Sequence, residues 1–202
     1  TRNHRAVHCP FGNHDSGESG TVDVVTPPVE TQETGRLRHH SRSINTILEL
    51  MKQTKIVILN WNGRKHLERF LPTLVENTPE AGIVIADNGS TDDSLAYVKS
   101  HFPQLEIVTM EKNYGYAGGY NRALEQVEAD YFLLLNSDVE VPAGWIVPLI
   151  ETLDAHPEVA AVSPKIRSFA EPGRFEYAGA AGGFIDCLGY PFCRGRILDS
   201  IE

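Results

Sequence analysis

Between residues 55 and 163 the apolar positions follow two alternating rhythms. Short aliphatic or β-branched runs fall at 55–60 (KIVILN), 82–87 (GIVIAD), 105–110 (LEIVTM), 131–135 (YFLLL) and 159–163 (VAAVS). Their length and composition predict buried strands. The run at 131–135 is the most apolar and is expected at the centre of a sheet. The stretches between these runs repeat at helical spacing. Leu67, Phe70, Leu71, Leu74 and Val75 make one helical face, and Leu95, Val98 and Phe102 a second. Ala117, Tyr120, Leu124 and Val127 make a third, and Ile146, Leu149, Ile150 and Leu153 a fourth. Pro72 should kink or end the first helix. Ser90 with Asp93 reads as a capping box opening the second. Pro142 suits the first turn of the last.

Strand and helix alternate throughout this region. The order predicts an α/β fold with a Rossmann-like, mostly parallel sheet and helices on both faces. Such sheets bind ligands at the carboxyl ends of their strands. Residues 164–202 carry glycines and aromatics without a period and read as loops with a hairpin. Residues 1–50 differ from the rest. They hold five of the eight histidines, the Pro27-Pro28 pair and few large apolar residues, so a disordered leader is expected there. Met51 is the first methionine. Either 1–50 is non-native or upstream sequence or it is a native extension, and the pattern favours the first. The folded domain is expected over 51–202.

The chain has 202 residues, with 27 acidic against 18 basic side chains and a net charge of −9. The acidic balance argues against nucleic acid as a partner, because that binding rests on Lys and Arg neutralising phosphates. A small anionic ligand would need local help, such as a cation. Cys9, Cys187 and Cys193 form no CxxC pattern, which fits a reducing, cytoplasmic setting. No apolar run approaches the roughly 20 residues of a membrane span.

The strand ends carry the candidate chemistry. The first strand leads into Asn60-Trp61-Asn62-Gly63, a turn sequence that would line a pocket in a βα loop. The second ends in Asp87, followed by Asn88-Gly89-Ser90. Turn and cap chemistry accounts for the latter three, whereas a carboxylate at the rim would accept hydrogen bonds from a base or a ribose. The third leads into Asn113-Tyr114-Gly115-Tyr116-Ala117-Gly118-Gly119-Tyr120-Asn121. Glycines there let a ligand approach the backbone, although no Walker A loop is present. The fourth ends in Asn136-Ser137-Asp138-Val139-Glu140. Asp138 suits a hard divalent cation, and Glu140 would share its face if the strand continued.

In this order and spacing, VILNWNG, IADNGSTDDS, NYGYAGGYNRAL and YFLLLNSDVEV resemble the family 2 glycosyltransferases, which have the GT-A fold. The likeness is greatest to the bacterial rhamnosyltransferase-like branch, where the DxD motif commonly reads Asn-x-Asp. The resemblance implies that Asp87 contacts the nucleobase and that Asn60 and Asn62 border base and ribose. It implies that Gly115, Gly118 and Asn121 line the nucleotide-sugar pocket, that Asn136 meets the ribose and that Asp138 holds Mg²⁺ or Mn²⁺. It further implies inverting transfer from a UDP- or dTDP-linked sugar to a glycan or lipid-linked acceptor, as in polysaccharide biosynthesis. Such acceptors would bring peripheral association with the inner face of the membrane. The family's general base lies further downstream, in a segment with no match here. A C-terminally truncated fragment with an incomplete acceptor part is therefore expected, and Glu176 and Asp186 receive no role. Two alternatives stand beside this reading: a non-catalytic nucleotide-binding module lacking the base, and a nucleotidyltransferase. The latter fits poorly, because no Gly-rich basic loop follows the first strand.

Overall fold

The computed structural model describes residues 53–174 and, by backbone alone, short strands at 5–8, 20–23, 183–185, 191–193, 196–197 and 200–201. In chain order the elements are β1 (Arg5–His8), β2 (Gly20–Asp23), β3 (Thr54–Asn60), α1 (Arg64–Asn77), β4 (Gly82–Asp87), α2 (Ser94–His101) and β5 (Glu106–Thr109). There follow α3 (Gly115–Leu124), β6 (Tyr131–Leu135), β7 (Val139–Glu140), α4 (Val147–Ala155), β8 (Ala161–Val162) and β9 (Lys165–Ser168). A hairpin of β10 (Gly183–Ile185) and β11 (Pro191–Cys193) lies in the tail, where one was expected. Apart from β1 and β2, the leader falls outside the described residues.

The main sheet runs β5-β4-β3-β6-β1-β8, and every pairing in it is parallel. β6 is central, as its unbroken apolar run predicts. A second, smaller sheet joins β7, β2 and β9. Side chains alternate across the main sheet with period two. Ile56, Ile58, Ile83, Ile85, Leu133 and Leu135 face α1, α2 and α4 on one side. Val57, Val84, Ala86, Val108 and Phe132 face Tyr120 and Ala123 of α3 on the other. Helices therefore cover both faces, which is why β3 from Ile56 to Leu59, β4 up to Ala86 and all of β6 are without polar residues.

Packing rather than local signals decides several helix details. α1 continues through Pro72 and does not end there. Pro72 and Glu68, whose carbonyl loses its donor, both lie on the exposed face, where water replaces the bond. The N-cap of α1 is Gly63, without a side-chain cap, a loss of roughly a few tenths of a kcal/mol. Four buried side chains, Leu67, Phe70, Leu71 and Leu74, outweigh it at about 1.5–3 kcal/mol each. The capping box at Ser90 and Asp93 does not form. α2 begins later, at Ser94, and its N-cap Asp93 makes no side-chain capping bond, its carboxylate facing Arg64 instead. Pro142 sits in the turn before α4, and Pro148 takes the first helical turn instead. On α3 the buried face is Gly119, Tyr120 and Ala123, while Ala117 is exposed.

Trp145 is fully buried among the α1 and α4 side chains, and its Nε1 donates to Thr78 Oγ1 at 2.9 Å. Thr78→Val keeps the shape and strands the indole N–H. It is expected to cost about 1–3 kcal/mol, read as a lower urea midpoint at unchanged slope. An unchanged midpoint would show that this bond contributes nothing.

Candidate functional site

Strand register builds the site. Asn60 pairs with Asp87 across β3 and β4, and Asp87 with Thr109 across β4 and β5. The polar residues that close the apolar runs of β3 and β4 therefore meet at the carboxyl end of the sheet. Asp87 is only 2% exposed, so its charge must be met by donors within the protein. Asn60 Nδ2 donates to Asp87 Oδ1 at 2.9 Å, and the Ser90 amide donates to Oδ2 at 3.0 Å. Each carboxylate oxygen keeps a further lone pair. Asn60 is fully buried, and its Nδ2 also lies 3.0 Å from the hydroxyls of Ser90 and Ser94. Its Oδ1 is buried against Gly63, where a Cβ would stand 2.5 Å away, and has no hydrogen-bond partner among the described residues.

The loop after β3 is stitched to the loop after β4. Asn62 adopts φ 52°, a left-handed conformation that asparagine tolerates. Its amide donates to Ser90 Oγ at 2.9 Å, and its Oδ1 accepts from the Thr91 amide at 2.7 Å. Asp92 reaches back to accept from the Arg64 amide at 3.1 Å and from Ser94. Burial opposes the Asp92 charge, but donation from the Ser94 hydroxyl and the Arg64 and Ser94 amides outweighs it and holds the carboxyl below its ordinary range.

Asn88 was expected to serve only as a turn residue, yet it holds the glycine-rich loop. It is 2% exposed. Its Nδ2 donates to Asn113 Oδ1 at 2.9 Å and to the Gly115 carbonyl at 3.1 Å, while its Oδ1 accepts from the Tyr114 amide at 2.9 Å. Beside it, Gly89 has φ 74° and presses on the Lys112 backbone, where a Cβ would lie 2.5 Å away. Gly115 also has positive φ, 73°, but open space where a Cβ would stand. Gly118 is half-buried and Asn121 exposed on α3.

Across the sheet, β6 ends at Leu135, and Asn136 is half-buried just beyond it. Tyr116 Oη donates to Asn136 Oδ1 at 3.3 Å. Asp138 is half-buried in the turn before β7. That turn interrupts the strand, so Asp138 and Glu140 do not share one continuous strand face. The structure thus brings Asn60, Asn62 and Asp87 into one hydrogen-bonded cluster. Asn136 and Asp138 follow the adjacent central strand, and the α3 residues flank it. Sequence reasoning missed Ser94, Tyr116 and the holding role of Asn88. The spacing of Asn88 from Asn113 carries no local period that would reveal it. Glu176 and Asp186 lie outside the described residues.

Among the described residues, no three metal-binding side chains cluster. A cavity of about 390 Å³ opens at the opposite end of the sheet, beside Lys55, Thr78, Gly82 and Glu106. A Lys55–Glu106 ion pair at 2.8 Å satisfies its two charges. The convergent polar groups are at the carboxyl end instead.

A parallel sheet with polar side chains gathered at its carboxyl rim is the arrangement in which open α/β proteins bind their ligands. The profile described as "Glycosyl transferase family 2" matches residues 55–193. The chain belongs to that family. Curated relatives include the N-acetylglucosaminyl-diphospho-decaprenol L-rhamnosyltransferase of Mycobacterium tuberculosis, 28% identical over 124 residues. That match covers 55% of this chain and 40% of the relative. Another is the teichoic acid poly(glycerol phosphate) polymerase of Staphylococcus epidermidis, 27% identical, covering 50% of this chain and 15% of the relative. This chain therefore matches less than half the length of either. Solved structures with similarity include S. aureus TarS 1-349 in complex with UDP-GlcNAc, at 24% identity and TM-score 0.46, covering 52% of this chain and 32% of that one. A mannosyltransferase from Pyrobaculum calidifontis in complex with GDP-Man and Mn²⁺ has 20% identity and TM-score 0.40, covering 45% and 29%.

Two predictions follow from this geometry. Gly89→Ala combines left-handed strain with a backbone clash, whereas Gly115→Ala carries the strain alone. Gly115→Ala is expected to lose about 1–2 kcal/mol and Gly89→Ala at least about 2 kcal/mol more in chemical unfolding. Equal losses would show that the Gly89–Lys112 contact yields. Asp92 stabilises the fold fully above its ordinary pKa of 3.8, and this is lost as pH falls through the lower folded value. Asp92→Asn should therefore be less stable than the parent at neutral pH, with the gap closing in acid. A gap independent of pH would refute the charge-based account.

Proposed function

We propose that this chain forms the nucleotide-sugar part of a glycosyltransferase that moves a sugar from a UDP- or dTDP-linked donor to a glycan or lipid-linked acceptor, with inversion. The observation that carries the reading is the seating of Asp87 beside Asn60 at the carboxyl rim of β3 and β4, in a chain of this family. In this reading the free lone pairs of Asp87 accept from the base. Asn62 and the 60–63 loop border base and ribose, Gly115, Gly118 and Asn121 line the sugar-diphosphate path, and Asn136 meets the nucleotide.

Asp138 is the metal residue of this reading. Mg²⁺ is commonly held by one or two carboxylates together with substrate phosphates and waters, not by an all-protein cage. A half-buried carboxylate in the turn after the central strand fits that donor set. Mg²⁺ or Mn²⁺ bound there supplies Lewis-acid stabilisation of the charge that grows on the departing diphosphate. The buried Asn60–Asp87 pair fixes the base end, so the donor's orientation is set before reaction. No described residue is assigned as the acceptor's general base.

The relatives support the acceptor class. One is named for a decaprenol-linked sugar and another for teichoic acid synthesis. Action on a lipid-linked acceptor would place the protein in the cytoplasm at the inner face of the membrane. Among the described residues no helix is long and apolar enough to cross it.

Calorimetric titration with UDP and with dTDP, with and without Mn²⁺, tests the reading. Saturable binding to one of the two is expected to need Mn²⁺ and to weaken at least about tenfold in Asp138→Ala, a loss of one charge-assisted contact. Asp87→Asn should weaken binding with the fold retained. A folded sample that binds neither nucleotide overturns the proposal.

A further inference from the structure

The end of β6 is tied to α3 by two phenols. Tyr120 is 3% exposed, packs beside Phe132, and donates through Oη to the Leu135 carbonyl at 3.2 Å. Tyr116, one turn earlier, donates to the side chain of the next residue, Asn136. Positions i and i+4 share a helix face, and the two rings meet edge-on at 5.0 Å and 72°. The buried tyrosine is thus a fixed base that carries the exposed one.

Tyr116 is 45% exposed, and among the described residues the exposed large apolar side chains are Tyr116 and Trp61. Both stand at the carboxyl end of the sheet. What the Tyr116 hydroxyl does is fix an orientation. An amide side chain has one acceptor oxygen and two N–H donors. The Asn136 oxygen is taken by Tyr116, and its Nδ2 meets no acceptor among the described residues. Both N–H donors of the nitrogen are therefore open to a ligand, while the oxygen is turned to Tyr116. A carboxylate at this position has no N–H to offer.

We propose that Tyr116 is a positioning residue that holds Asn136 with its amide nitrogen towards the nucleotide, making Asn136 a hydrogen-bond donor to an oxygen of the donor substrate. The proposal rests on the reading of this rim as the nucleotide site. It reverses the sense of the contact that an aspartate would make here. It also ties the glycine-rich loop and the Asn136–Asp138 turn into one unit, because Tyr116 belongs to the first and holds the second.

The test is a double-mutant cycle on nucleotide affinity, measured calorimetrically on the full chain with UDP or dTDP, whichever binds, and Mn²⁺. Tyr116→Phe is expected to weaken binding roughly three- to tenfold while thermal unfolding stays at the parent's temperature. Asn136→Ala should weaken it by at least as much. Adding Tyr116→Phe to Asn136→Ala should cost nothing further, since no amide remains to be held. Asn136→Asp should bind no better than Asn136→Ala, because it keeps the Tyr116 bond and loses the donor. Independent losses in the double variant overturn the positioning role, as does a Tyr116→Phe protein that binds like the parent while Asp138→Ala does not. Parent-like binding by Asn136→Asp overturns the donor assignment. If Asp138→Ala leaves affinity unchanged, the nucleotide reading of the rim fails, and this proposal falls with it.

Discussion

The arrangement depends on a carboxylate being kept almost out of water at the rim of a parallel sheet. Asp87 would be costly to bury alone. It is tolerable because the register of β3 against β4 delivers Asn60 beside it and the chain then turns so that the Ser90 amide points back. That register is itself fixed by apolar alternation. A slip of one residue would exchange the sets facing α1 and α3 and bury the wrong side chains on both faces. The hydrophobic pattern and the polar site are thus one constraint seen at two positions along the same strands.

This explains why so much was legible in the chain. β3, β4 and β6 lie within one residue of their predicted spans, because continuous aliphatic runs of that length have few other places to go. Asp87 and Asn136 follow directly, as the residues where those runs reach the rim. The helix starts were less legible. Ser90 carries the chemistry of a cap, but Asn60 and Asn62 claim its hydroxyl from 30 and 28 residues away. Local propensity cannot register such a competitor. The same holds for α3, where Ala117 keeps the apolar period but Gly119 is the buried residue. A Cβ at Gly119 would come within 2.8 Å of Leu59 and 3.0 Å of Asn88, so the helix approaches the sheet where its side chain is smallest.

Asn88 illustrates a different limit. Its neighbour Gly89 signals a turn, and the turn is present. What the pattern omits is that the side chain makes three hydrogen bonds to a loop 25 or more residues further on. A buried amide with three such bonds is a specific clamp, because leaving any one partner unpaired in a dry site is costlier than the bond is strong. The clamp fixes where α3 begins and, through it, where Tyr116 stands.

On the proposed reading, an acidic chain of net charge −9 takes a diphosphate, and it must solve a charge problem to do so. The rim does so in two ways. It withdraws the Asp87 charge by burying it against an amide and a backbone N–H, which leaves Asp138 as the carboxylate of the Asn136–Asp138 turn. And it places an asparagine, not a second acid, at the mouth of β6, with the oxygen of that asparagine turned towards a tyrosine. Each step removes negative potential from the path of a nucleotide without adding a lysine or arginine. Neutral donors held in place by buried neighbours cost little reorganisation when an anion arrives. On that reading the stabilising groups of the rim are amides and hydroxyls, and Asp138 is the carboxylate proposed to recruit the cation.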